Sequence, residues 1–384
     1  MIKNFKIRNY KNFKDLSIDN LGQFNLLVGN NNTGKSNILE AILLYTNNFD
    51  LNSWRLVLQN RNEDITCFHA EGQTEDDMIS AIAPLCIDRN LNMFKDSTDN
   101  SIVLGTDNDY LQVSLTHVVA KLTQLGQHTI TKMVPYSEEN KITSNMEEIR
   151  PAIISKTSRL DKTTFKSISR IALRTIKSLV WLDRGCLAKG AFVSPMPKNP
   201  IVFLACKAID ANLFEKSWSK ISMTPMELEF SNILQLVYPN VNKVNLLKMP
   251  DGRNVPFVAL NNGVRMPLSE LGDGMTHIAN ILIALVSAQN GILLLDEVES
   301  GLHYTTLQTI WKSIFDIATR LNVQVIATTH SVDCIKAFTD YNIENNVHMG
   351  NIYSLGMNNN ELTIKTYDDP KQIDNLLAGG LEIR

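Results

Sequence analysis

Apolar and polar residues alternate in short runs at the start of the chain: Ile2, Phe5 and Ile7, then Leu16 and Ile18. The mainly apolar Phe24–Val28 follows. This pattern predicts two small strands and then a buried one. Ile38, Leu39, Ile42 and Leu43 share one side of a helix running from Lys35 to about Tyr45. From about residue 60 to 140 the pattern is patchy, except that Tyr110–Val119 alternates as a strand. Over 146–184 the spacing predicts a helix with Ile168, Ile171, Ile176 and Leu179 on one face. Its other face carries Lys166, Arg170, Arg174 and Lys177.

Beyond the proline-rich Ser194–Pro200, an apolar strand is expected at Ile201–Cys206. Thr224-Pro225-Met226-Glu227 reads as a capping box with proline at the first helical position, starting a helix that reaches about Val237. Asn262-Gly263 predicts a tight hairpin turn. The remainder alternates helix 274–289, strand Ile292–Leu295, helix Thr305–Leu321 and strand Val323–Ala327, which implies a parallel sheet covered by helices.

Composition narrows the class. Among 384 residues, 44% are apolar and 20% charged, which excludes a disordered chain and leaves room for two or three domains. The net charge of −3 provides no global field for nucleic acid, so any such binding would be local. Cys67, Cys86, Cys186, Cys206 and Cys334 form no C-x-x-C pair and read as reduced structural thiols. No apolar run approaches the roughly 18 residues of a membrane span, and the N-terminus lacks a signal-peptide core, so a cytoplasmic protein with no membrane partner is expected.

The chemistry concentrates in four segments. Gly29-Asn30-Asn31-Asn32-Thr33-Gly34-Lys35-Ser36 fits G-x-x-x-x-G-K-[ST] between a buried strand and an amphipathic helix. Such a loop turns successive N–H groups inward toward phosphate oxygens, and the helix N-terminus, with Asn37 in its first turn, adds partial positive charge. Lys35 is expected to bridge the β- and γ-phosphates of ATP, and the Ser36 hydroxyl to ligate Mg2+. Ile292–Leu295 is an apolar strand ending in Asp296, a second Mg2+ ligand, and Glu297, placed to orient or deprotonate the attacking water. Thr328-Thr329-His330-Ser331 ends the next apolar strand and brings a histidine to the same sheet edge, where it could sense the γ-phosphate. Finally, Ser269-Glu270-Leu271-Gly272-Asp273-Gly274 is a glycine-bearing turn at a helix N-terminus, a second anion site. One chain already has a phosphate loop, so this turn suggests a composite site in which one subunit closes over the nucleotide of another.

In this order the four segments resemble the ABC-type ATPase heads of the SMC/RecF group, and are most similar to stand-alone and OLD-type AAA-like ATPases. The resemblance covers Asn4–Phe13, Asn25–Ile42 and the stretch from Leu268 to Ser331, with the terminal GLEIR. It implies an α/β fold: an ABC-like P-loop ATPase head with a parallel core sheet, an antiparallel β lobe and a largely helical insertion. The expected divisions are 1–140, 141–240 and 241–384. It also implies head-to-head homodimers sandwiching ATP, Glu297 as catalytic base and His330 as switch histidine. The Ser269–Gly274 segment departs from L-S-G-G-Q, which leaves open whether Ser269, Gly272 or Asp273 faces the γ-phosphate. His303 stands where many such heads carry Asp, and the Q-loop glutamine stays open among Gln59, Gln73, Gln112, Gln124 and Gln127.

Far more chain separates Lys35 from Asp296 than a minimal ATPase needs, and no heptads persist in it, so inserted globular structure is expected. OLD proteins carry a TOPRIM nuclease domain at the C-terminus, for which the span from His330 to Arg384 is too short, so nuclease activity is expected in a partner protein. The resulting expectation is an ATP hydrolase that regulates an effector, such as a nuclease in anti-phage defence. Competing readings are a RecF-like repair ATPase that binds DNA through the basic helix face, a transporter motor subunit, and a switch or scaffold that binds ATP without hydrolysing it.

Overall fold

The computed structural model describes residues 1–61, 85, 101–125, 128–135, 150–159, 174–183, 186–189, 199–205, 211–344, 350–358, 361–369 and 372–374. In chain order these form β1 (Phe5–Tyr10), β2 (Phe13–Ile18), β3 (Phe24–Gly29), α1 (Lys35–Thr46) and α2 (Leu51–Asn60). Six further strands follow: β4 (Ile102–Gly105), β5 (Asp109–Leu125), β6 (His128–Pro135), β7 (Arg150–Arg159), β8 (Arg174–Asp183) and β9 (Cys186–Lys189). Next come β10 (Ile201–Leu204), α3 (Ala211–Ile221), α4 (Pro225–Val237), β11 (Val241–Lys248), β12 (Asn254–Leu260) and β13 (Arg265–Pro267). The chain continues through α5 (Asp273–Ser287), β14 (Ile292–Leu295), α6 (Tyr304–Arg320), β15 (Gln324–Thr329), α7 (Val332–Glu344), β16 (Gly350–Asn358) and β17 (Glu361–Tyr367).

Two compact units emerge. One comprises Met1, Leu21–Leu39 and Asn199–Arg384, and the other Ile2–Asn20 and Glu40–Lys198. In the first, a six-stranded sheet runs β10-β14-β15-β3-β16-β17, and every pair is parallel except β16 with β17. Strands enclosed on both faces are mainly apolar, and β3, β14 and β15 are buried at every position. Asn25 is the polar exception inside β3. Its amide donates to the carbonyls of Gly22 and Val325 and its oxygen accepts from Gly22 N, so burial leaves none of these groups unpaired. α6 and α7 pack through aromatic contacts, with Trp311 edge-on to Phe338 at 4.9 Å between centroids. The Trp311 indole N–H donates to the Cys334 thiol. The predicted hairpin joins β12 to β13 antiparallel, with Gly263 at φ +84°. The expected capping box does not form. Glu227 reaches back to the Met223 N–H, and the Thr224 hydroxyl donates to the Ile221 carbonyl instead of capping α4.

The second unit holds an antiparallel sheet ordered β2-β1-β4-β5-β7-β8-β9, with β6 also on β5. Glu40, at the junction of the units in sequence, is buried with Lys11 and also receives Arg61. Over 150–159 and 174–183 this sheet overturns the helix expected across 146–184, the rest of which lies outside the described residues. β7 and β8 pair antiparallel, Ala152 opposite Trp181 and Ile154 opposite Leu179. β-branched and aromatic residues dominate Thr175–Trp181, and cross-strand pairing outweighs an apolar spacing that suits either period. The four-cation helical stripe goes with it. Arg174 and Lys177 lie in a strand, where the 3.6-residue period does not apply, and Lys166 and Arg170 lie outside the described residues.

Candidate functional site

β3 delivers the Gly29–Ser36 loop, the expected phosphate loop, from the middle of the parallel sheet, flanked by β15 and β16. The chain turns at Gly29, whose φ is +151° and where a Cβ would stand 2.7 Å from the Leu355 carbonyl oxygen. Both conditions require glycine there. Asn32 and Gly34 also have positive φ, of 67° and 94°. The loop is tied to itself: the Thr33 hydroxyl donates to the Asn30 carbonyl at 2.9 Å, and the Lys35 ammonium to the carbonyls of Gly29 and Asn30 at 2.8 and 2.9 Å. Asn30, Asn31 and Asn32 are exposed, whereas Lys35 is buried and Asn37 half-buried. Burial pulls the Lys35 ammonium below its usual pKa, opposed by the carboxylates of Asp296, Glu297 and Glu299. All three acids therefore act on one cation at the head of α1.

β14 ends in Asp296, whose Oδ1 accepts from the Ser36 hydroxyl at 2.9 Å and from the Thr328 hydroxyl at 2.6 Å. Thr328 Oγ in turn accepts from the Glu297 N–H at 2.8 Å. The hydroxyl thus bridges two strand ends and fixes both acids. Glu297 sits at φ +50°, a left-handed conformation rare outside glycine and common at functional sites when the surroundings enforce it. Among the described residues no group of three or more His, Cys, Asp or Glu could hold a metal. One serine hydroxyl with one aspartate is the sparse oxygen set that suits Mg2+, which keeps several waters and takes its remaining ligands from substrate phosphates.

His330 follows β15 and is exposed. Its backbone N–H donates to Glu299 Oε1 at 2.9 Å, and its ring Nδ1 lies 3.2 Å from the same oxygen. Sequence reasoning passed over Glu299, although the alternation Asp296-Glu297-Val298-Glu299 carried the signal. Thr328 was also read only as part of a strand end. The expected second anion turn is a single 3-10 turn, Leu268–Leu271, followed by Gly272 at φ +100° and α5. Ser269, Gly272 and Asp273 are exposed, and Gly274 lies against the Gly301 backbone. His303, also exposed, pairs through Nδ1 with the Thr305 hydroxyl at 2.9 Å. Of the glutamines left open, Gln112 is buried in the second unit and donates to the Ser101 hydroxyl. Gln73 and Gln127 lie outside the described residues.

Residues 24–333 match the family described as "AAA domain, putative AbiEii toxin, Type IV TA system". A Helicobacter pylori protein described as an ATP/GTP phosphatase is 22% identical over 405 residues, spanning 96% of this chain and 95% of its own length. Among solved structures, an SMC head bound to the C-terminal winged-helix domain of ScpA aligns with 97% of this chain and 99% of its own, at a TM-score of 0.47 and 12% identity. The SMC head domain from Thermotoga maritima covers 96% of this chain and 99% of its own, at a TM-score of 0.39 and 12% identity. No helix among the described residues is long and apolar enough to cross a membrane.

Proposed function

The chain belongs to the AAA-domain family that its residues 24–333 match, and from that premise we propose that it is an Mg2+-dependent ATP hydrolase whose heads pair around nucleotide. The observation that carries this reading is the 2.9 Å hydrogen bond from the Ser36 hydroxyl to Asp296 Oδ1, between residues 260 positions apart. It joins the two oxygen groups that would share the metal, at the mouth of a loop already wrapped around Lys35. The description of the Helicobacter pylori relative as an ATP/GTP phosphatase supports nucleotide hydrolysis as the activity.

In this reading the inward N–H groups of residues 29–36 and the Lys35 ammonium bind the phosphates. When bound, Mg2+ supplies charge neutralisation at the transferring phosphoryl group. Ser36 and Asp296 would hold it, and Thr328 keeps the Asp296 carboxylate turned toward it. Glu297 accepts a proton from the attacking water, and its unusual backbone conformation fixes where that carboxylate stands. The exposed turn Ser269–Gly274 of one head would close over the nucleotide of another.

The downstream task we propose is control of a separate effector protein, supported by the sequence resemblance to OLD-type heads. Direct DNA binding has less support, because Arg174 and Lys177, two of the four cations expected on one helical face, lie in β8. Phosphate release by the purified protein with Mg2+ and ATP tests the core of the reading, with Lys35→Ala as the control. Wild type should turn over and the variant should neither bind nor hydrolyse. A variant that binds ATP like wild type would overturn the reading.

A further inference from the structure

Glu299 is a partly buried acid beside the proposed reaction centre. Its side chain is only 10% exposed, against 47% for His330, so the acid is the fixed member of the pair. Oε1 accepts from the backbone N–H of His330 at 2.9 Å, and ring Nδ1 of the same residue approaches that oxygen to 3.2 Å. Oε2 is buried without a hydrogen-bond partner among the described residues. Leaving a carboxylate oxygen buried in that way is unfavourable, and an apolar residue would avoid it. The acid is therefore kept for something other than stability.

A carboxylate accepts hydrogen bonds, so the 3.2 Å approach of Nδ1 favours the tautomer with its proton on that nitrogen and leaves Nε2 for another partner. The bond to the backbone N–H adds a second constraint, because it fixes where the ring begins as well as how it is turned. Glu299 is also one of the three carboxylates whose charge opposes the burial-driven lowering of the Lys35 pKa.

We propose that Glu299 is a positioning residue that sets the tautomer and direction of the His330 imidazole, presenting Nε2 to the terminal phosphate of bound ATP. This rests on the ATP-hydrolase reading above and names a residue that the reading does not need. Glu299 touches neither nucleotide nor water in this role and acts through His330.

The test combines kinetics with a measurement that requires no turnover. Glu299→Ala should lower kcat on the order of 10- to 100-fold with little change in KM for ATP, since the grip at Lys35 is untouched. Glu299→Gln keeps an oxygen that can accept from Nδ1–H and the backbone N–H, so it should recover most of the rate. Adding Glu299→Ala to a His330→Ala background should cost little more than His330→Ala alone. In nucleotide-free protein, the ring 15N shifts of His330 should report Nδ1–H in wild type and a mixed tautomer in Glu299→Ala. An unchanged His330 signature in Glu299→Ala, or full additivity of the two alanine variants, overturns the proposal. If Glu299→Gln is as inactive as Glu299→Ala, the acid is moving a proton and the positioning role is wrong. A wild-type protein that releases no phosphate but shows the expected ring signature would instead sink the hydrolase reading and leave the Glu299–His330 pairing standing.

Discussion

Gly274 and Gly301 meet backbone to backbone. A Cβ on Gly274 would stand 2.5 Å from the Gly301 carbonyl oxygen, and Gly301 itself sits at φ +69°. The first turn of α5 is thereby held against the segment that follows the acidic strand end, so a shift in either moves the other.

Gly274→Ala should therefore force the two segments apart. Overpacking of this kind costs about 1–3 kcal/mol, and each kcal/mol lowers Tm by roughly 2–4 °C in a domain of this order of size. Gly356→Ala is the control, because a Cβ there meets nothing within 4 Å. Thermal melting of the two variants checks this, and equal Tm values would mean that the close approach is not maintained in solution.

Thr328 connects the two acids, donating to Asp296 and accepting from the Glu297 N–H. Thr328→Val keeps the shape and removes both bonds. Half-saturating Mg2+ for ATP turnover should rise on the order of 10- to 100-fold, as with other groups that orient a metal ligand. Thr328→Ser should stay near wild type. A Mg2+ titration of initial rates decides it, and an unchanged midpoint in the valine variant would count against Asp296 as the metal-holding carboxylate.

Glu297→Gln is expected to bind ATP and stall, because the amide cannot accept the proton while Ser36 and Asp296 remain in place. Turnover should fall at least about 100-fold, and a nucleotide-bound dimer should accumulate in mass photometry. Wild-type turnover would remove Glu297 from its role as base.

His277 predicts a pH dependence of stability. It is buried on α5, its Nε2 3.2 Å from the Val298 carbonyl oxygen, and burial lowers its pKa from the usual 6.5. Below 6.5 the unfolded chain gains a proton there before the folded chain does, so acid favours unfolding. The stability held above that value should be lost progressively as pH falls through 6.5 toward the folded pKa. Chemical denaturation at several pH values, compared with His277→Gln, isolates the contribution. The same slope in both proteins would assign the effect to other groups.

How much of this could be read from the sequence follows from how local each feature is. The turn from β3 into α1 was legible because its glycines, lysine and serine fall within eight residues, which also set their backbone geometry. Asp296 and Glu297 were legible because an apolar strand ends at them. Glu299 was not, since its partner His330 lies 31 positions away and depends on how two strands register. β8 was misread for a related reason. Its apolar spacing fits a helix as well as a strand, and only the β7 partner decides between them. The place of β16 beside β3 could not be read either, because nothing in either strand specifies its neighbour.

That central position of β3 bears on how the chain is made. Asn25 donates to the Val325 carbonyl across 300 residues, and β16, the other neighbour of β3, is synthesised later still. At roughly 5–20 residues per second on the ribosome, the phosphate-loop strand waits about 15–60 s with both edges unpaired. Phe24, Leu26, Leu27 and Val28, buried in the folded sheet, lack both strand neighbours until then, the condition under which strands associate with the wrong partner. Production of this protein should therefore be limited by what shields its first thirty residues during translation, and slower elongation should lower the soluble yield.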